Sequence, residues 1–349
     1  MGSYIAYIFP YIILSLFTFR HNGILRGKFP WILFYVFLCL FIGLRESIGG
    51  DWLLYNKFFI EISKLSFFDA IRYTDPAYAA INWIVGRTFG TIYIVNFICA
   101  LIFFSCIFIF CSKQPYPWLC LAVLYPYLIV VVGMGYTRQS VAIGLSLLAV
   151  SFFLDGKVYK SLLVIMLSVL FHKSSLSFIP VFILGLNNRK VIFAMLLFFI
   201  AMMTYIYLFY WGHISELYIK NLVYSQGAVL RVGLGIFILC LYFMVNPSPS
   251  FLLFEDRQSD LLKSGAIVTC ISMILVFFYP TLVDRFYLYF IYFQPLLLML
   301  VLDRIRDSKY LRHAVTFFLL LYFFLLYIWL CFSPFAGLFW LPYKNILSI

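Results

Sequence analysis

The chain has 349 residues, of which 65% are hydrophobic and 11% charged, with a net charge of +12. Soluble domains carry about 25% charged residues, so a soluble globular protein is excluded. The basic excess is not a nucleic-acid footprint either, because it sits mostly in short loops between apolar runs, as on cytoplasmic loops of membrane proteins.

Apolar runs long enough to cross a bilayer, about 20 residues each, recur from end to end. A β-barrel would show short alternating segments instead. The expectation is an all-α polytopic membrane protein with about 12 transmembrane helices, forming one helical domain over 1–349. In chain order the spans read as 3–19, 30–44, 91–111, 117–134, 138–154, 158–171, 174–186, 191–210, 230–246, 262–279, 285–302 and 312–332. The runs 158–171 and 174–186 are short for a crossing, and polar backbone at depth needs protein or water around it.

The first run has no basic segment before it and no small-residue cleavage site after it, so it reads as a span rather than a signal peptide. Arg20, Arg26 and Lys28 follow it, which predicts an outside N-terminus. Threading twelve spans then puts 14 of the 25 Lys and Arg residues in cytoplasmic loops. These include Lys113, Lys157 and Lys160, Arg189 and Lys190, Arg257 and Lys263, and Arg304, Arg306, Lys309 and Arg312. His21 and His313 fall in such loops and carry no predicted role. The eight cysteines lie in or beside apolar runs and read as small core residues.

Two outer-face loops remain, about 45–90 and 211–229. In the first, Trp52, Tyr55, Phe58, Phe59, Ile62 and Leu65 recur at helical spacing, with Lys57, Glu61 and Lys64 opposite, which predicts an amphipathic helix lying in the membrane interface. A second shallow helix is predicted to start at Asp75-Pro76.

Threading brings four ionisable clusters to the outer face. Arg45, Glu46 and Asp51 follow the second span. Arg138 and Gln139 lie in "GMGYTRQSVAIG". His172 and Lys173 interrupt "VLFHKSSLSF", and Asp284 and Arg285 open "TLVDRFYLYF". Each has a bland reading: an arginine snorkels to headgroups, an Asp–Arg pair neutralises another span, a lone histidine packs. Four on one side predict an anion-binding pocket with acid–base groups, since charges in membrane segments face cavities or pair with each other.

The ordered set Arg45–Asp51–Tyr55, "TRQSVA", "FHKSSL", "DRFYLYF" and the terminal Pro342-Tyr343-Lys344 resembles the EpsG and Wzy-type bacterial polysaccharide (O-antigen) polymerases. The resemblance covers nearly the whole chain. It implies a glycosyltransferase C-like membrane fold in the bacterial inner membrane, with the site facing the periplasm. It also implies transfer of a glycan from undecaprenyl diphosphate to the terminal sugar of another lipid-linked repeat unit. Lipid-linked donor and acceptor, membrane lipids and a chain-length regulator protein are the implied partners; neither nucleic acid nor a cofactor is expected.

The residues match those demands. Breaking the glycosidic bond leaves negative charge on a lipid diphosphate, which Arg45, Arg138 and Arg285 would hold, assisted by Lys173, without a metal. The acceptor hydroxyl must lose a proton. His172 is the natural base, Asp51 the rival and Glu46 a weaker one. Tyr55, Gln139 and Asp284 are supporting residues, and Gly49-Gly50 would turn the backbone before Asp51. Competing readings are a lipid-linked oligosaccharide flippase, an O-antigen ligase with the same donor, and a membrane acyltransferase that modifies sugars.

Overall fold

A computed structural model of the chain describes residues 2–19, 28–88, 90–183, 189–216, 225, 227–246 and 256–348. Arg20, His21, Arg26 and residues 217–224 and 226 of the second outer loop lie outside the described residues. Within them the protein is helical, with no strand and one isolated antiparallel bridge, Arg45 to Asn345.

The chain divides into two compact units. The first comprises residues 1–148, 167–173 and 307–349. It begins with α1 (Gly2–Phe19) and α2 (Lys28–Gly43). A cap of three short helices follows: α3 (Trp52–Ile62), α4 (Phe67–Tyr73) and α5 (Pro76–Thr88). Next come α6 (Ile92–Ser112) and α7 (Pro117–Gly135). After α8 (Thr137–Leu154) and α9 (Val158–Phe171) have passed into the second unit and back, α16 (Leu311–Phe332) and α17 (Pro334–Phe339) close the first. The second unit, residues 149–166 and 174–306, holds α10 (Ile179–Ile183), α11 (Arg189–Ser215), α12 (Ala228–Val245), α13 (Arg257–Leu275), α14 (Pro280–Tyr287) and α15 (Phe293–Arg304).

Local chemistry explains the boundaries. Proline opens α5, α7, α14 and α17, where its fixed φ suits a helix start and its missing N–H is not needed. Ser66 caps α4 by accepting from Asp69 N at 3.3 Å, and Asp256 caps α13 by accepting from Ser259 N at 2.8 Å. Gly156 takes φ +79 in the turn after α8, a left-handed conformation that favours glycine.

Among the described residues, five helices are long and apolar enough to cross a membrane: Ile92–Ser112, Pro117–Gly135, Thr137–Leu154, Ala228–Val245 and Leu311–Phe332. The protein is therefore a multi-pass membrane protein. Three predicted spans differ from expectation, and one of them, 262–279, lies in a helix that ends at Leu275 and is not among the five. Span 285–302 is a broken pair, Pro280–Phe290 and Phe293–Arg304, bent by 54°. A 3₁₀ turn at Leu288–Phe290 ends the first half. Pro295 fits the second half because it falls in its first turn. Over 174–186 there is no continuous α-helix among the described residues. Lys173–Phe178 is 3₁₀, and Ser177 Oγ donates to Ser174 O at 2.8 Å, the local competition that disfavours α-helix. Residues 184–186 of that run lie outside the described ones.

The predicted interfacial stripe also differs. Tyr55, Phe59 and Ile62 are buried by protein. Ile62, Ala70 and Ala79 form the centre of the cap, with Phe58, Leu65 and Trp83 packed around them. The return of the chain through α4 and α5 supplies a protein partner for the face that sequence alone assigns to lipid. Lys57 stays exposed and faces Glu61 one turn on, at 3.9 Å.

All eight cysteines are unpaired; Cys39, Cys99, Cys106, Cys111 and Cys120 are buried, Cys331 is partly buried, and Cys240 and Cys270 are exposed.

Candidate functional site

The site of the first unit is assembled on three chain reversals. The first follows α2. Ser47 (φ +53) and Gly49 (φ +102) take positive φ, which lets the chain turn back under α7. Gly49 is required on two counts: its φ favours glycine, and a Cβ there would sit 2.3 Å from Met134 O. At Gly50 a Cβ would meet nothing within 4 Å, so of the predicted glycine pair only Gly49 is structurally demanding.

Arg45 is 1% exposed. Its Nη1 donates to Ile42 O at 2.7 Å, its Nε to Met134 O at 3.0 Å and Ile48 O at 3.4 Å, and its Nη2 to Thr137 Oγ1 at 2.8 Å. Burial lowers its pKa to about 10, which leaves it charged at neutral pH. The guanidinium thus joins the end of α2 to the junction of α7 and α8 and is enclosed by protein oxygens. Glu46 follows, its N–H donating to Lys344 O at 3.0 Å.

The junction of α7 and α8 is the second reversal. The middle of α7, Tyr125–Val132, is π-helical. Pro126 lies in that stretch and cannot donate to the preceding turn, and wide turns of this kind occur often at functional sites. Gly133, Met134 and Gly135 lead through Tyr136 to Thr137, where α8 starts, and Arg138 is its second residue.

The third reversal, between α4 and α5, delivers Thr74 and Asp75. Arg138 Nη1 donates to Thr74 Oγ1 at 2.7 Å and to Asp75 Oδ2 at 2.8 Å. The same Oδ2 lies 3.4 Å from His172 Nδ1. Asp75 is 5% exposed. Burial pushes its carboxyl up, but the hydrogen bond and charge of His172, with the charges of Arg138 and Lys173, outweigh that and hold it below the ordinary carboxylate range. The Arg138 guanidinium also lies 5.7 Å over the Tyr55 ring and 5.3 Å over Phe58, which orients it further. Its Nε is buried with no hydrogen-bond partner among the described residues.

Of the residues singled out in sequence, Arg138, His172, Lys173 and Tyr55 thus converge on one point. Asp51 lies beside Tyr55, and Gln139 is buried next to Arg138 in α8. The point itself, Asp75, carries no site role in the sequence reading, where it only starts a shallow helix. The usable signal was an acid set in the aromatic stretch Tyr73-Thr74-Asp75-Pro76-Ala77-Tyr78.

Asp284 and Arg285 belong to the second unit. There Arg231 Nε donates to Asp284 Oδ1 at 2.7 Å, and Arg231 Nη2 also reaches that oxygen. Ser225 Oγ donates to Asp284 Oδ2 at 2.9 Å and accepts from Arg231 Nη2 at 3.1 Å. Arg285 is the next residue of α14 and is partly buried. Arg231, the cation of this group, is absent from the sequence reading. Among the described residues, no three His, Cys, Asp or Glu side chains gather where they could hold a metal ion.

A multi-pass helical membrane protein with a carboxylate shared between a guanidinium and an imidazole, and a lysine alongside, is equipped to bind an anion and move a proton. The family comparison specifies the class further. The model of the EpsG family matches residues 28–345, and the chain belongs to that family of polysaccharide polymerase-like membrane proteins. No curated protein and no solved structure matches the chain.

Proposed function

We propose that the protein is a polysaccharide polymerase. It moves a glycan from undecaprenyl diphosphate to the terminal sugar of another lipid-linked repeat unit, at the outer face of a bacterial inner membrane. The observation that supports this reading best is the sharing of Asp75 Oδ2 between Arg138 and His172.

An acceptor hydroxyl oxygen attacks the anomeric carbon of the donor, and the bond from that carbon to the diphosphate oxygen breaks with its electron pair going to the diphosphate. His172 takes the hydroxyl proton on Nε2. The carboxylate facing Nδ1 favours the tautomer with its proton there, which leaves Nε2 as the base. In this reading Asp75 positions His172 and Arg138, and Asp51 binds sugar hydroxyls rather than acting as base. Arg138 takes the charge that develops on the diphosphate, with Lys173 assisting. These cations serve in place of a divalent metal, so a chelator is expected to leave polymerisation unchanged.

Arg45 changes role. All its nitrogens already donate to protein oxygens, so it positions Thr137 and Arg138 instead of binding diphosphate. Tyr55, Gln139 and Glu46 remain supporting residues, and Asp284 supports the second unit through Arg231 and Ser225. We read the shorter apolar helices Tyr4–Phe19, Lys28–Gly43, Val158–Phe171 and Ile192–Tyr205 as further crossings. They bring the spans toward the dozen that the sequence predicts, in a glycosyltransferase C-like fold.

The test deletes the gene and analyses surface and lipid-linked glycan. Retention of single repeat units on lipid with loss of the long ladder is expected. Complementation with His172→Ala is expected to leave the ladder absent; a full ladder from that variant removes the base assignment. Loss of every repeat unit points to a flippase instead.

A further inference from the structure

The segment after α16 does more than end the chain. Its backbone is stitched to the loop after α2: Gly49 N donates to Phe339 O at 2.8 Å, Glu46 N to Lys344 O at 3.0 Å, and Ile346 N to Leu44 O at 3.0 Å. Side chains add to this. Tyr343 Oη donates to Phe41 O at 2.7 Å and Asn345 Nδ2 to Leu40 O at 3.2 Å.

Trp340 lies at the centre and is 2% exposed. Its carbonyl accepts from Tyr7 Oη at 2.5 Å, and its indole N–H donates to Val130 O at 3.1 Å, inside the π-helical stretch of α7. The ring covers Gly135 so closely that a Cβ there would meet Cζ2 at 2.9 Å and Cη2 at 3.0 Å. Arg45 grips the next part of the same segment at Met134 O and Thr137 Oγ1. The four residues Met134–Thr137 that lead into Arg138 are therefore held by Arg45 and by Trp340.

We propose that Trp340 is a positioning residue for Arg138. Its indole fixes the path of Met134–Thr137 and so the distance from the Arg138 guanidinium to Thr74 and Asp75. The inference rests on the reading that Arg138 serves the transfer reaction. It makes the C-terminal segment part of the site's framework, although that segment contributes no group that touches substrate. The physical reason is the π-helical stretch. A rigid bicyclic ring with a hydrogen bond to one of that stretch's carbonyls constrains its path into Met134–Thr137.

The test uses the full-length protein, in cells and purified in detergent micelles, with Trp340→Phe, Gly135→Ala, the double variant and Arg138→Ala. Thermal midpoint and polysaccharide ladder are both read. Gly135→Ala pushes a methyl group into the indole, and a displacement near 1 Å is expected to lower polymer output by roughly 10- to 100-fold. The thermal midpoint should stay above the growth temperature. Trp340→Phe removes the N–H donor and shortens the ring, so it lowers output too, but it also vacates the space that the Gly135→Ala methyl needs. The double variant should then be no worse than Trp340→Phe alone.

Losses that multiply in the double variant overturn the proposal, as does wild-type output from folded Gly135→Ala. The second result suffices by itself where Trp340→Phe is not recovered folded. Arg138→Ala separates the two readings. If it keeps the ladder, the role of Arg138 fails. If it loses the ladder while the Trp340 and Gly135 variants keep theirs, only the present inference fails.

Discussion

Asp75→Asn is the sharpest perturbation of the site because it removes a charge with almost no change in shape. Asp75 Oδ2 accepts from Arg138 Nη1 at 2.8 Å and faces His172 Nδ1 at 3.4 Å. An asparagine can place its amide oxygen where Oδ2 was, so both contacts survive as weaker ones. A hydrogen bond to a charged group contributes about 1.5–3 kcal/mol and a neutral one about 0.5–1.5. Part of the penalty of leaving the half-buried Arg138 charge uncompensated adds to that difference, and the expected loss of stability is about 2–4 kcal/mol. Activity should fall further, by about 10²- to 10⁴-fold, because a neutral amide no longer stabilises the imidazolium that forms when His172 takes the proton.

The pH dependence follows from the sign of the shift. The folded carboxyl is held below its ordinary value of about 3.9, so folding favours its ionised form. That contribution is complete above about pH 4 and disappears as pH falls through the lowered folded value. The gap in thermal midpoint between wild type and Asp75→Asn should therefore be constant around neutrality and close only on acidification. The assay is thermal unfolding in detergent from pH 3 to 8, paired with the polysaccharide ladder of complemented cells. A folded Asp75→Asn protein with a full ladder, or a gap that widens in acid, would refute the reasoning.

Three further outcomes are expected. Arg45→Met should destabilise by about 3–5 kcal/mol, since it removes the donors to three carbonyls and Thr137 Oγ1 in a fully buried position; thermal unfolding or folded yield reads it. Gly49→Ala should cost about 2–4 kcal/mol from its φ of +102 and the 2.3 Å approach to Met134 O, whereas Gly50→Ala should stay within about 0.5 kcal/mol. In the second unit, Asp284→Asn should lower the thermal midpoint by weakening the partly buried pair with Arg231, and equal midpoints for variant and wild type would show the pair to be dispensable.

Much of this protein is legible in the sequence because membrane helices are local objects. Apolar length fixes them, and proline, glycine and capping residues mark their ends. The run 158–171 coincides with a helix of the same bounds, and 138–154 with one that begins a residue earlier. The basic and acidic residues worth watching also stand out, because any charge in so apolar a chain is costly. Arg138 and His172, both of which contact Asp75, stand out that way.

Partnership was decided only by the tertiary structure. Asp75 lies 63 residues from Arg138 and 97 from His172, and its own neighbours describe a helix start and nothing more. Arg45 looks in sequence like a headgroup anchor at the end of a span, yet the fold surrounds it with carbonyls and a hydroxyl. The apolar stripe of α3 has the periodicity of a lipid-facing helix, and only the return of α4 and α5 shows that protein covers it. Trp340 lies 210 residues from the carbonyl it holds. Periodicity tells which face of a helix is apolar and where it stops. It does not say what that face meets, because hydrogen bonds and ion pairs are satisfied in space by whichever chain segment the fold brings within reach.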